Sequence, residues 1–596
     1  MGGGGSVLRV ANCSGFYGDR LAAAREMVEG GPIDVLTGDY LAELTMLILW
    51  RSRQKDPGAG YAVTFLRQME DVLGSCLDRG IRVVVNAGGL NPAGLAARLR
   101  ELAARLGLAP KIAHVEGDDL LPRLGELQAA GHPLRHLDSG RSLAEAGIQP
   151  VSANAYLGAW GIVECLNAGA DVVVCPRVTD ASLVVGPAAW RFGWARDDWD
   201  RLASAVVAGH VLECGAQAIG GNYAFFQEVP GLEHAGFPIA EMAEDGSFVV
   251  TKHPGTGGLV SPGTVTAQLL YELGEPAYAN PDVVARFDTI RLEAEGPDRV
   301  RVSGVRGEPA PADLKLCINY LGGWRNSMTL ILTGLDVEEK AALAERSVLA
   351  ALGGRERFDE VHVRLARTEH ADPDTNERGS ARLTITVKDR DPKKVGRAFS
   401  GAVTELALAS YPGFHMTSPP GDASPYGVYW PALLPAEEVR HTAVLPDGRA
   451  VGIEPSKVVQ RFRLEAPRPV LPEPPEGERV RAPLGRAFGA RSGDKGGNAN
   501  LGVWARSDAA YVWLERFLTL DRLRALLPEA APLEIRRYEL PNLRALNFVL
   551  LGLLGEGVAS STRPDPQAKS LGEWLRARVV EMPRGLLAEG EPGCAT

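Results

Sequence analysis

The stretch Ile81–Leu108, IRVVVNAGGLNPAGLAARLRELAARLGL, decides how the first third of this chain is read. It opens on a short apolar run dominated by valine, which suits a buried strand. Polar and glycine residues follow at Asn86, Gly88, Gly89 and Asn91, and Pro92 opens a segment with leucines at helical spacing. The same order recurs on either side of it. VLRVANC, IDVLTGD, PKIAHVEG and DVVVCP are further strand candidates, and Ala- and Leu-rich stretches such as DRLAAAREMVEGG lie between. Strands alternating with helices predict an α/β fold with a mostly parallel, doubly wound N-terminal sheet over residues 7–224. In such sheets ligands gather beyond the C-terminal strand ends.

Around Gly215 the pattern changes. Longer segments of alternating character, including DTIRLEAEG, SMTLILTG and ARLTITVKD, mix with helices such as DVEEKAALAERSVLAAL. Residues 225–464 therefore read as an α+β region with antiparallel pairing. APRPVLPEPPEGERVRAP then places six prolines in eighteen residues, a stiff linker over 465–483. Residues 484–583 read as strand, loop, strand, helix, hairpin and helix, which predicts a small C-terminal ferredoxin-like α+β domain.

Composition limits the function classes. A length of 596 residues calls for several domains. A net charge of -10 argues against nucleic acid as the partner, since phosphate neutralisation needs a basic face. The seven cysteines are scattered without a CxxC pair, which reads as reduced thiols rather than a disulfide framework or zinc site. No apolar run reaches the ~20 residues of a membrane span. The N-terminus lacks a secretory pattern. Gly2 and Ser6 match an N-myristoylation pattern with no basic cluster behind it, and Cys594 is not placed for prenylation, so the expected location is the cytoplasm.

The candidate site residues fall mainly where strands end. SGFYGDR offers Ser14, Gly15, Tyr17, Asp19 and Arg20 at a strand-to-helix turn, where backbone N–H groups favour an anion. Asp39 follows the second strand, while Asn86, Gly88, Gly89 and Asn91 follow the third. Glycines let backbone approach a ligand closely, and asparagines read polar groups. PRVTDAS places Arg177 and Asp180 at the end of an apolar run, Arg177 suited to a carboxylate or phosphate and Asp180 to proton transfer, unless the two simply pair with each other. KHPGTGG offers Lys252, His253 and Thr256, with His253 the first choice among ten histidines for acid–base work; Asn222 sits in the glycine-rich GAQAIGGNYAFF. His114, with Glu116, Asp118 and Asp119, reads as a core residue or, alternatively, as part of a metal cluster, and the expectation is no metal. In the tail, GARSGDKGGNAN fails the Walker A pattern, because Asp494 precedes Lys495 and Gly496 stands where Ser or Thr belongs. It reads either as a hairpin tip or as an anion-binding loop offering Arg491, Ser492, Asp494 and Lys495.

Taken together, ANCSGFYGDR (11–20), IDVLTGDYLAELTM (33–46), NAGGLNP (86–92), ANAYLGAWGIVECLNAGADVVVCPRVTDAS (153–182) and HPGTGGLVSPGTVTAQLLYEL (253–273) resemble the acyclic terpene utilisation AtuA family. ARSGDKGGNANLGVWA (490–505) is similar to the ferredoxin-fold domain that often follows it. The resemblance implies a bacterial cytoplasmic protein encoded beside acyl-CoA carboxylases, dehydrogenases and hydratases of terpenoid or branched-acid breakdown. It carries over no catalytic residue. The residues and the resemblance together predict an enzyme of lyase or hydratase type, acting on an anionic acyl-CoA or carboxylate. No cofactor is expected beyond the CoA of the substrate. Expected partners are the small-molecule substrate, acyl-CoA carboxylase subunits and further copies of the chain, with neither nucleic acid nor membrane. The alternative is a non-catalytic accessory or binding subunit of such a carboxylase.

Overall fold

The five strands predicted around Ile81–Leu108 all form and lie side by side. In the computed structural model, which describes residues 7–457, 464–466 and 468–587, they are β1 (Leu8–Asn12), β2 (Val35–Gly38), β3 (Arg82–Val85), β4 (Ile112–Glu116) and, after β5 (Pro150–Ala155), β6 (Val172–Val174). Gly2, Ser6, Cys594 and Pro467 lie outside the described residues. The five pair in parallel in the order β1-β2-β3-β6-β4, with Val10 opposite Val35, Leu36 opposite Val83 and Val173 opposite both Val84 and Ala113. Val83 and Val85 face a core built from the helices Ala23–Glu29, Val63–Asp78 and Pro92–Arg105 through Met27, Phe65, Leu73, Leu95 and Leu99. Val84, between them, is equally buried, and the helix Ser182–Phe192 packs against β1, β2 and β3. A strand covered on both faces must be apolar throughout, which is why the valine runs carry so strong a signal.

The complete sheet is mixed, eleven-stranded among the described residues, and not mostly parallel. β7 (Pro238–Met242) runs antiparallel to β1, and β8 (Phe248–Lys252) returns beside it through the short turn at 243–247. Strands Arg299–Ser303 and Arg291–Gly296 extend that edge, and Thr442–Val444 with Ala450–Gly452 extend the other beyond β4. The short turn between β7 and β8 allows only an antiparallel pair, whereas parallel neighbours need a longer crossover, here through helices.

By contacts the chain forms two compact units. Among the described residues, one comprises 7–319, 429–457, 464–466, 468–558 and 567–587; the other comprises 320–428 and 559–566. The strand Asp313–Thr333 begins in the first and continues into the second. The second unit pairs this strand with Ser380–Asp389 and that strand with Glu360–Ala366, all antiparallel. Its core joins Leu330, Leu332, Leu383 and Ile385 to Ala344 and Val348 of helix Val337–Ala351 and Phe399 of helix Arg397–Thr404.

In the tail domain, part of the first unit, the expected loop at GARSGDKGGNAN is mostly strand. Phe488–Lys495 and Asn498–Ala505 pair along their whole length, from Phe488 opposite Ala505 to Lys495 opposite Asn498, leaving only Gly496 and Gly497 as the turn. Gly496 has φ +63, as a two-residue hairpin turn requires. Ala545–Leu550 and Ile535–Leu540 complete a four-stranded antiparallel sheet, and helix Leu571–Ala577 packs on its first strand. Arg479–Pro483, the end of the predicted linker, is itself a strand paired with Val579–Pro583.

The tail sheet is anchored by buried asparagines. Asn500 Nδ2 donates to the Leu270 carbonyl at 2.7 Å, and Asn500 Oδ1 accepts from Glu272 N at 2.8 Å. Asn547 Nδ2 reaches the carbonyls of Leu273 and Gly274 at 2.9 and 2.6 Å. These two side chains satisfy the backbone of 270–274, which runs beside the sheet without belonging to it.

Candidate active site

The loops after β1, β2 and β6 open into a cleft of about 1780 Å³. Gly15 and Asp19 come from the first loop, Asp39 from the second, and Arg177 and Asp180 from the third. Tyr156, Glu213, Glu272, Tyr278, Lys315 and Tyr429 contribute from elsewhere in the same unit, and Asp494, Lys495 and Lys569 form the tail-domain wall.

Asp39 sits immediately past β2 and is almost fully buried. Its Oδ1 accepts from Asn86 Nδ2 at 2.5 Å and Leu41 N at 3.1 Å. Burial pushes its carboxyl up to about 7, against the bond from Asn86 and the charge of Arg177. Asp180 is also driven above the ordinary carboxylate range, by burial first and by Asp39 second. Arg177 is 2% exposed, its Nη1 3.8 Å from Asp180 Oδ1. Its guanidinium lies 4.4 Å from the Tyr156 ring centroid and donates from Nη2 to Tyr156 Oη at 3.2 Å, while Nε and Nη1 find no hydrogen-bond acceptor. The two therefore face each other at ion-pair distance without closing a hydrogen bond.

Tyr156 Oη donates to Glu43 Oε1 at 2.7 Å. Burial acts to raise the Glu43 carboxyl, but the charges of Lys315 and Arg177 and the bond from Tyr156 outweigh it and hold the group down at about 2. Two environments thus divide the carboxyls of one cleft: Glu43 is ionised at neutral pH, and Asp39 titrates close to it. On the tail wall, burial and the neighbouring Glu272 raise Asp494 to about 7, with Lys569 Nζ 3.8 Å away opposing.

Of the remaining predicted residues, Asn222 lines the cleft and the others lie apart from its lining. His253 is buried, its Nε2 2.9 Å from the Met27 carbonyl and its ring against Gly30 and Gly31, so it is not the accessible group its glycine-rich neighbours suggested. Lys252 donates to the Thr256 carbonyl at 2.6 Å and pairs with Asp298 at 3.1 Å, and Thr256 Oγ1 donates to the His253 carbonyl at 2.7 Å. The KHPGTGG turn therefore satisfies itself. Asn91 Oδ1 accepts from Gly94 N at 2.9 Å, which makes it the N-cap of helix Pro92–Arg105. Gly88 and Gly89 are needed for packing: a Cβ on Gly88 would meet the Cys175 carbonyl at 2.6 Å, and Gly89 has φ +51. Asn86 acts on Asp39 and on Tyr40 N, which donates to its Oδ1 at 2.8 Å.

In the first loop, Asp19 Oδ2 accepts from Gly15 N at 2.8 Å and Ser14 Oγ donates to the Phe16 carbonyl at 3.0 Å. Arg20 pairs with Glu26 at 2.6 Å, and Tyr17 packs against the core. Asn222 lines the cleft with a positive φ of 58. In the tail, Arg491 hydrogen-bonds Gln217 and stacks 4.5 Å from the Tyr271 centroid, and Ser492 Oγ accepts from Gly572 N at 2.9 Å. Among the described residues no group of His, Cys, Asp or Glu is placed to hold a metal ion, including His114 and its acidic neighbours.

Glu43, Tyr156, Lys315, Tyr278 and Tyr429 were not singled out by sequence. Glu43 stands only four residues beyond Asp39, where the helix Glu43–Lys55 begins, and Lys315 interrupts the apolar Leu314 and Leu316, both legible hints. The tyrosines carry no local signal.

No curated protein and no solved structure matches the chain. The profile of the acyclic terpene utilisation family protein AtuA matches residues 8–445, and that of the AtuA ferredoxin-like domain matches residues 482–581. The second match covers the four-stranded tail sheet, and the first covers most of the chain and nearly all of the strand-end loops. The chain therefore belongs to the acyclic terpene utilisation family AtuA and carries a ferredoxin-like domain.

Proposed function

We propose that this protein is an enzyme of acyclic terpenoid or branched-chain acid breakdown that adds water to, or eliminates it from, an acyl-CoA or carboxylate substrate. Family membership supports the pathway class. One observation carries the chemistry: Asp39, raised to about 7, stands in the same cleft as Arg177, whose Nε and Nη1 lack acceptors. A carboxyl titrating near neutrality is suited to move protons, and a guanidinium fixed on an aromatic ring is suited to hold an oxyanion. The cleft exceeds the ~300–1,000 Å³ of ordinary small-molecule pockets, room that suits a substrate bearing a large handle.

Written as hydration of an α,β-unsaturated acyl group, ionised Asp39 takes a proton from water as the water oxygen bonds to the β-carbon. Protonated Asp180 gives a proton to the α-carbon, and Arg177 stabilises the negative charge that collects on the carbonyl oxygen between the two events. The reverse sequence eliminates water.

Full-length protein incubated with a panel of branched and terpenoid acyl-CoA thioesters, read by mass spectrometry, should show gain or loss of one water for at least one member. Asp39→Asn should lower that turnover about a hundredfold or more and remove a step near pH 7 from its pH profile. An unchanged mass for every thioester would overturn the reading, as would full turnover by the Asn variant.

A further inference from the structure

Lys495 closes no ion pair with a described residue, though the charges of Glu272, Glu43 and Glu213 favour its ammonium. Its ammonium donates to the Glu272 carbonyl at 2.8 Å and lies 5.4 Å from the Tyr278 ring centroid. A second lysine, Lys315, is close enough for its charge to oppose that of Lys495. Lys315 Nζ stands 5.1 and 5.6 Å from the ring centroids of Tyr156 and Tyr429, and 3.9 Å from a Glu43 oxygen that the Tyr156 hydroxyl already engages. The Tyr429 hydroxyl is buried and finds no well-formed hydrogen bond. The Tyr429 ring adjoins the hairpin turn, 3.3 Å from where a Cβ on Gly496 would lie, and all three residues line the cleft.

Two ammonium groups within mutual repulsion, propped on aromatic faces beside a buried hydroxyl, form an arrangement that an anion completes. Without one, the repulsion between the lysines is offset only by Glu43, Glu272 and Glu213, and the hydroxyl has only Tyr156 to meet. We infer that Lys315, Lys495 and the Tyr429 hydroxyl form a bay for an anionic group of the substrate, phosphate or carboxylate, and that the ferredoxin-like domain supplies the cation that closes it. The inference rests on the reading of the cleft as a substrate site. It adds that residues on both sides of the proline-rich linker are needed to bind.

The test is equilibrium binding, which requires no turnover. Full-length protein, Lys495→Met and Tyr429→Phe are titrated by calorimetry with inorganic pyrophosphate, coenzyme A and 3-methylcrotonate, after melting curves establish that each variant is folded. The parent protein should bind at least one probe, and both variants should bind it at least roughly tenfold more weakly, the scale of a lost hydrogen bond to a charged group. Weakening with pyrophosphate and coenzyme A identifies a phosphate as the occupant, and weakening with 3-methylcrotonate alone identifies a carboxylate. Binding of no probe by the parent overturns the inference, and so does unchanged affinity in both variants. Should Lys495→Met fail to fold, Tyr429→Phe decides alone. Absence of turnover by the parent protein, with the affinities changed as expected, would instead count against the proposed reaction alone.

Discussion

At the scale of single residues, burial does more than residue type to assign roles. Asp39 and Asp118 both follow apolar strands, and both are raised to about 7 chiefly by desolvation. Only Asp39 lines the cleft; Asp118 Oδ2 is taken by Asn154 Nδ2 at 2.8 Å and by Arg177 N at 3.3 Å. A carboxyl raised on folding is protonated in the native state where the unfolded chain has already ionised, so stability falls as pH rises from about 4 through about 7. Asp118→Asn keeps an oxygen for both donors and removes that loss. Chemical denaturation should show the variant gaining on the parent by a few kcal/mol at most, and by more at pH 8 than at pH 5. Equal differences at the two pH values would show that Asp118 does not carry the effect. Histidine illustrates the converse. His253 looked accessible in sequence, yet a neighbouring helix end buries it against a carbonyl.

At the scale of elements, the tail hairpin shows why a glycine-rich stretch need not be a loop. Gly493 and Gly502 lie in paired strands, where a Cβ would come 2.4 Å from the Tyr271 ring and 2.5 Å from Leu270 Cβ. Gly489 likewise leaves room for Trp504, whose ring a Cβ would meet at 2.2 Å. These glycines give flat sheet surface on which segment 270–274 can lie, and the asparagines beside them satisfy its backbone. Gly493→Ala should therefore destabilise the folded chain by about 1–3 kcal/mol, the usual cost of overpacking, measured as a fall in denaturation midpoint. A midpoint equal to that of the parent would show that Tyr271 has room to move aside. The charges and glycines of Arg491–Lys495 were visible from the outset; that they belonged to a strand was not, because glycine is scarce in strands for want of a side chain to pack.

At the scale of the whole molecule, the proline-rich segment separates the tail in sequence but not in space. Residues 464–466 and 468–478 form neither helix nor strand, and many of their side chains are exposed. The tail sheet is held instead by Asn500 and Asn547, by Lys495 on the Glu272 carbonyl and by Tyr223 stacked on Trp504 at 6.0 Å. Limited proteolysis within this segment should yield two fragments that co-elute in size exclusion and separate only in denaturant. Separation in native buffer would show that the interface needs the covalent tether, and would weaken the case for a cleft shared by both domains. The five parallel strands, the helices between them and the polar loops at their ends were determined by the sequence alone, because a doubly covered strand and an amphipathic helix each write their burial into local periodicity. Which loop residues meet is another matter. Asp39, Arg177 and Asp180 were legible as members of loops on one sheet edge, but Lys315, Tyr429 and Lys495 join them only because distant segments return to the same cleft. The pairing of charge with aromatic face and the burial that retunes each carboxyl depend on those returns, and only the tertiary structure decided them.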